Sequence, residues 1–469
     1  MKSYLALAAL LTLGLPAFAA PPPPERVDLV VRWARVLTVD AEFRVLDDGA
    51  VAVRGTKIVA VAPSAEIAKR FRAKRTVDAK GAILMPGLVN GHNHAAMSLL
   101  RSGADDRALM DWLTGFIFPA EGKNVSPEFV RVGTLLSCLE MIRSGTTTFA
   151  DMYYFEEEVA KAVDEAGMRG VLGETVIGFP VPDAATPDKA LEYARSFIAK
   201  WKGNPRIVPA IAPHAPYTVD PDTFRKIVAL SNETGAPILT HVAETKDEEK
   251  QIAEKYGKRP TEYLDSLGVL GPRTVAAHCV FLNEADIATF VRSGAGCVHN
   301  PESNMKLASG AAPMREMLAA NMKLGLGTDG PASNNDLDMF GTMDFAGKLA
   351  KLGSGDPRTL PARTTIELAT RRGAEVLGLA DRIGSLEAGK EADMILVATD
   401  TPKGTPMWDP ASQVVSVFDG DDVRAVWVAG RLLYDSGRFR TLDERAIRRR
   451  AEALRTKIQA SLVPKEISK

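Results

Sequence analysis

The sequence predicts an α/β fold: a (β/α)8 TIM barrel over residues 86–380, with a small β domain built from both ends of the chain. Three observations carry that expectation. Apolar, strand-like runs alternate with amphipathic helical stretches eight times over about 260 residues, the count and length of such a barrel. Short alternating strands with Gly and Asp turns fill residues 26–85 and return at 381–440. Neither set alone has enough strands for a stable core, so the two should share one. All six histidines stand at the ends of predicted strands, and the C-terminal rim of a barrel is where catalytic groups gather.

In chain order, residues 1–19 read as an export signal outside the fold. Lys2 gives a positive start, Tyr4 to Leu15 are apolar, and Ala17-Phe18-Ala19 fits an A-x-A cleavage site. The apolar stretch is shorter than the roughly 20 residues of a membrane-spanning helix. Pro21 to Pro24 follow as a stiff spacer. The expected mature protein is soluble and periplasmic or extracellular. Strands are predicted at 27–32, 36–39, 49–54 and 57–62 from their alternation. Barrel strands are predicted at 88–92, 146–151, 170–176, 207–213, 237–241, 274–278, 296–299 and 324–328. Helices are expected between them at 128–143, 156–166, 187–201, 222–234 and 313–321. Strands return at 393–398 and 423–428, and residues 441–469 form a helical tail.

Composition excludes several classes. With 46% hydrophobic and 25% charged residues over 469 positions, the chain can bury a large core. A net charge of −1 leaves no electrostatic footprint for nucleic acid. The basic run Arg445, Arg448, Arg449 and Arg450 is flanked by Glu444 and Glu452, which marks a solvated helix face. Cys138, Cys279 and Cys297 are too few and too irregular for a disulfide framework. No later run is long enough for a stable membrane span. The expected partner is a small-molecule substrate, and one sequence leaves a homo-oligomer open.

The chemistry centres on MPGLVNGHNHAAMS, residues 85–98. In a strand, His92 and His94 project from the same face. A catalytic zinc site takes about three protein ligands and keeps a position open. Asp329, in Gly327-Thr328-Asp329-Gly330 at the end of the eighth predicted strand, brings a carboxylate to the same rim. His92, His94, His241 and Asp329 then form a set suited to one divalent ion, Zn²⁺ first, with Fe or Mn as alternatives. Such an ion brings the pKa of water from 15.7 towards about 7. Glu244, three residues past His241, could carry protons from that water to a leaving group. The competing reading is a helix-start glutamate favoured by the macrodipole. His278 could steady the attacking hydroxide. His214 and His299 fit the wall of a substrate pocket, the alternative for each being a core histidine.

The stretches MPGLVNGHNHAAMSLLR, SGTTTFADMY, PHAPYTV, ILTHVAET, VAAHCV, HNPESNMKLASG, LGTDGPASNN and IGSLEAGKEADMILV carry a resemblance across nearly the whole chain. In their joint order the sequence resembles the amidohydrolase superfamily. More narrowly, it is similar to the branch of S-adenosylhomocysteine/methylthioadenosine deaminases, guanine-type deaminases and triazine chlorohydrolases. The resemblance implies a (β/α)8 barrel with a flanking β-sandwich from both termini. It implies a mononuclear centre, because Ala212-Pro213-His214 has no bridging lysine. It implies His92, His94, His241 and Asp329 as metal ligands, Glu244 as proton shuttle, and His278 and Asp329 beside the reacting water. It also implies Trp112 and Glu121 as contacts to a purine nucleoside, with Glu121 on the ribose hydroxyls, and His214 as a substrate contact. The expected activity is hydrolytic deamination of an amino-substituted N-heterocycle, purine- or pterin-like. The alternatives are a cyclic-amide hydrolase or a triazine-type chlorohydrolase on the same site. A non-catalytic binding protein would have no use for Glu244 and His278 together.

Overall fold

The computed structural model describes residues 23–462; the export signal read at 1–19 and the last seven positions of the helical tail lie outside them. Eight parallel strands follow chain order around a barrel. They are β1 (Leu88–Asn93), β2 (Thr146–Tyr153), β3 (Arg169–Val176), β4 (Ile207–Pro213), β5 (Ile238–Val242), β6 (Thr274–His278), β7 (Gly296–His299) and β8 (Lys323–Leu326). The barrel is drawn shut where the chain leaves β8. The Asp329 N–H donates to His92 O at 3.0 Å, and the Thr328 N–H donates to Asn90 Oδ1 at 3.0 Å. The Asn90 amide in turn donates to Thr328 Oγ1 at 2.7 Å. This seam sets Asp329 against the first strand.

Side chains alternate across each strand. Val89, Val171, Ala212, Leu239, Val275 and Val298 fill the interior, while Phe149, Leu172, Ile211, Ala276 and Cys297 face the helical layer. Val376, on the helix Arg371–Val376, closes the N-terminal mouth. It lies so near Gly296 that a Cβ there would stand 2.8 Å from Val376 Cγ1. The outer helices start with Ser126, Thr186, Asp220 and Thr245, whose side chains accept from the first-turn N–H groups. Each such cap contributes about 1 kcal/mol.

Both chain ends meet in a nine-stranded mixed sheet. Ile83–Pro86 joins them, pairing parallel with Glu25–Leu37 on one side and antiparallel with Met394–Val397 on the other. The strands predicted at 27–32 and 36–39 are one strand, Glu25–Leu37. Trp33 adopts φ 57° and the pairing register shifts on either side of Ala34, so the polar interruption is a bulge and not a break. A further strand, Phe71–Asp78, follows a short helix, Ser64–Arg70. Its basic residues hide the apolar alternation and suit a sheet edge. The two layers are pinned by Arg169, fully buried at the start of β3, which pairs with Asp393 at 3.0 Å and Glu391 at 2.6 Å. The helix Glu444–Leu462 buries Ile447, Ala451, Leu454 and Ile458 along one stripe and leaves its arginines to solvent.

Candidate active site

The C-terminal rim gathers five of the six histidines around Asp329. Alternation explains how they arrive. On β4 and β5 the interior positions Ala212 and Leu239 are followed two residues later by His214 and His241. His94 Nε2 and His241 Nε2 face each other at 3.3 Å. His92 Nε2 and His94 Nε2 each stand 3.3 Å from Asp329 Oδ1. The opposite ring nitrogens are occupied: His94 Nδ1 donates to Met152 O and His241 Nδ1 to His214 O, both at 2.7 Å. A carbonyl only accepts, so both protons sit on Nδ1 and both Nε2 lone pairs point inward. His92 Nε2 is buried and makes no hydrogen bond. Three imidazole nitrogens and one carboxylate oxygen thus converge; His92, His94 and His241 form one group able to hold a metal ion, and His92, His278 and Asp329 a second that shares His92.

The electrostatics leave the His92 and His241 rings neutral and put a second proton on His94. Burial pushes His92 down to about 4 and His241 well below the usual imidazole range. Burial would lower His94 too, but the Asp329 carboxylate outweighs it and raises that ring to about 9, a proton that a cation in the same place would displace. Burial opposes ionisation of Asp329, yet His92 and His94 beside it hold its carboxyl well below the usual range. Its orientation is fixed on three sides. Oδ2 accepts from the Ser303 and Ser333 hydroxyls, each at 2.7 Å, and Oδ1 accepts from the Gly330 N–H at 2.7 Å.

Glu244 and His278 reach the centre through left-handed backbone. Ala243 has φ 52°, and beyond it the buried Glu244 side chain lines the cavity. The following helix, Lys246–Tyr256, is capped by Thr245, and Glu248 accepts from the N–H groups of Ala243 and Glu244 at 2.9 and 2.7 Å. The helix-start role therefore belongs to Thr245 and Glu248. Burial raises the Glu244 carboxyl above its ordinary range. His278 ends β6 with φ 75°; alternation from Val275 would aim it at the helices, and the left-handed turn swings it inward. Its Nδ1 donates to Asn304 Oδ1 at 2.9 Å, and its Nε2 lies 3.9 Å from Glu244 Oε2 and 4.0 Å from Asp329 Oδ2.

A narrow cavity of about 60 Å³, smaller than most small-molecule sites, lies over this centre. Trp112, Glu121 and His214, expected from the resemblance as substrate contacts, are among the residues that line it. Trp112 and Glu121 come from the helical segments Leu109–Trp112 and Phe118–Asn124, which lie over the barrel mouth. Glu121 accepts from Tyr153 Oη at 2.7 Å, and burial pushes its carboxyl up to about 7. His299, predicted to line the pocket, stands apart from the lining. Val298 faces the interior, so the next residue on β7 faces the helical layer, where the His299 ring is buried with neither nitrogen hydrogen-bonded. Ser303, Asn304, Ser333 and Tyr153 were not singled out from the sequence. The first three follow the strand ends in HNPESN and GTDGPAS, where a barrel supplies its loop contacts.

Fold and site together define a barrel hydrolase with a histidine cluster able to hold a metal ion. The amidohydrolase family model matches residues 83–433, and the chain belongs to that family. It is 44% identical over 438 residues to a 5-methylthioadenosine/S-adenosylhomocysteine deaminase of Syntrophus aciditrophicus, covering 93% of this chain and 99% of the relative. It superposes on an adenosine deaminase from Xanthomonas campestris with bound zinc at a TM-score of 0.92, with 40% identity, covering 93% of this chain and all of that one. An atrazine chlorohydrolase from Arthrobacter aurescens in complex with zinc is more distant, with a TM-score of 0.83 and 25% identity over 91% of this chain and all of that one.

Proposed function

We propose that this protein is a zinc-dependent hydrolytic deaminase of adenine-type nucleosides, replacing an exocyclic amino group with oxygen and releasing ammonia. The observation that carries the reading is a buried carboxyl, Glu244, beside four converging donor atoms but outside the ligand set. The relatives at 40% identity and above are deaminases by description, whereas the chlorohydrolase is the more distant one. The divalent ion supplies Lewis acidity at this point, bringing the ionisation of water down to about pH 7.

The chain's own groups handle the protons and the substrate. Glu244 accepts a proton as water adds to the amino-bearing carbon and delivers it to the ring nitrogen. It then carries a second proton, from the newly added hydroxyl, to the amine, which departs as ammonia while the carbon–oxygen bond becomes a carbonyl. Burial raises its carboxyl above the ordinary range, which suits a group that must both take and give a proton. His278, with Nδ1 held by Asn304, turns its Nε2 towards the same space and orients the attacking water. Trp112 offers a face for the base. Glu121, held by Tyr153, offers a carboxyl oxygen to the sugar hydroxyls. Incubating the zinc-loaded protein with adenosine-type nucleosides and with chlorinated triazines should release ammonia from the former. Chloride from the latter, with no ammonia from any nucleoside, would assign the alternative chemistry.

A further inference from the structure

A cavity of about 60 Å³ is several-fold smaller than the roughly 300–1,000 Å³ of small-molecule sites, so part of its wall has to move before a substrate can reach the metal centre. Much of that wall stands in barrel strands, as Met152, Thr175 and His241 do, and is held by the strand ladder. Another large share comes from one excursion of the chain after β1. It supplies Leu109, Trp112, Leu113, Ile117, Phe118 and Glu121 from three short helical pieces, Leu109–Trp112, Leu113–Ile117 and Phe118–Asn124. The middle piece is a π-helical turn, a break in regular winding that recurs at functional sites. The backbone hydrogen bonds of the excursion stay local: Gly103 N–H to Leu100 O, Trp112 N–H to Ala108 O and Val125 N–H to Glu121 O. Phe116 folds back on Gly103, where an added Cβ would stand 2.7 Å from the Phe116 Cζ. The segment is packed on itself, and side chains tie it to the rim.

Those ties gather at its front. Asp105 pairs with Lys306 Nζ at 2.6 Å, and Lys306 also donates to Asn335 Oδ1 at 2.9 Å and to Ala332 O at 3.1 Å. Asn335 donates through Nδ2 to Asp105 Oδ2 at 3.3 Å and accepts from the Ser102 N–H at 3.3 Å. Arg101 donates to Asn335 O at 3.0 Å. Lys306 ends the helix Pro301–Lys306 after β7, and Asn335 lies in the loop after β8 that carries Ser333, so one knot joins three loops of the rim. Ser102 and Asp106, on either side of Asp105, hold φ of 57° and 61°, left-handed positions at the end of a segment, where a hinge absorbs rotation. The Asp105–Lys306 pair is partly exposed, and such pairs are weak, as a tie that is broken and remade must be. We propose that residues 101–124 are a lid over the metal centre and that Asp105, Lys306 and Asn335 are its latch. The lid opens about Ser102 and Asp106 to admit a substrate, and closes to set Trp112 and Glu121 over it and exclude water. Its action goes beyond the deaminase reading and is the same whichever group leaves.

The test compares the zinc-loaded wild type with Asp105→Ala and Asn335→Gly, which cut the latch from opposite sides and leave every residue of the metal centre in place. Glycine suits the φ of 86° at Asn335. Amide hydrogen exchange, read by mass spectrometry, should be faster across 101–124 than in β2 of the wild type. In either variant it should rise about tenfold across 101–124, the order expected for losing an exposed ion pair with its hydrogen bonds, with β2 unchanged. Zinc transfer to an excess of a small chelator should speed up by the same factor, because the ion leaves past the lid, while the equilibrium affinity for zinc is unchanged. Wild-type exchange across 101–124 as slow as in β2 would overturn the lid. Exchange or zinc transfer at the wild-type rate in both variants would overturn the latch. Neither readout needs turnover, so a failure to release ammonia from any nucleoside would count against the deaminase reading alone.

Discussion

Asp329 Oδ2 takes two hydroxyl donors, from Ser303 and Ser333, so the carboxylate cannot rotate without breaking both. That arrangement turns Oδ1 towards His92 and His94. Outer partners of metal ligands typically change affinity 10–100-fold when removed. Replacing both serines with alanine should weaken zinc binding by about that factor while the fold persists, as read by competition with a chromophoric chelator. Unchanged affinity would separate the serines from the metal centre. Glu121 carries a second expectation. Its carboxyl shifts from 4.5 to about 7 on burial, so the folded state holds a proton that the unfolded chain releases. The associated stability is full below pH 4.5 and is lost as pH rises through 7, about 3 kcal/mol at most. Glu121→Gln should flatten that fall in urea titrations across the range. A slope equal to wild type would place Glu121 in water. Residue identity made the rim legible, since every histidine stands at or just past a strand end. Parity decided what strand ends alone could not. His299 sits one position past Val298 and so faces outward, whereas His278 escapes the same fate through its left-handed backbone. Ser303 and Asn304 escaped the sequence reading because each meets its partner 26 residues away across the rim.

Element boundaries followed from periodicity where one face is buried. β4, β6 and β7 begin and end where alternation and strand-end histidines placed them. The helices Glu156–Ala166 and Pro187–Trp201 also match, because each has a continuous apolar stripe. The flanking sheet was harder to read. A bulge at Trp33 looks like a turn in sequence, and Phe71–Asp78 is too charged to mark itself as a strand. What holds the two layers together is a buried charge cluster. Arg169 is inaccessible to solvent and satisfies both Asp393 and Glu391. Arg169→Leu should cost roughly 3–5 kcal/mol, because two carboxylates lose their buried partner. Chemical denaturation would register it, and a loss under 1 kcal/mol would mean that the pair is solvated.

At the scale of the molecule, the chain begins and ends its fold in one sheet, and the barrel between presents its site at the opposite end from the Val376 plug. Among the described residues, no helix is long and apolar enough to cross a membrane. Residues 1–19 carry our proposal of export: protein from its host should begin at or near Ala20 on N-terminal sequencing, and an intact Met1 in the cytoplasmic fraction would overturn it. The central claim is that binding the ion and moving the proton are separate tasks on separate residues. Glu244→Gln tests it most directly, since glutamine keeps the shape of glutamate but cannot exchange a proton near neutral pH. The variant should hold as much zinc as wild type and lose 10²–10⁴-fold in kcat, about the range of general acid–base groups. Full zinc with turnover of an adenine nucleoside near the wild-type rate would contradict the account.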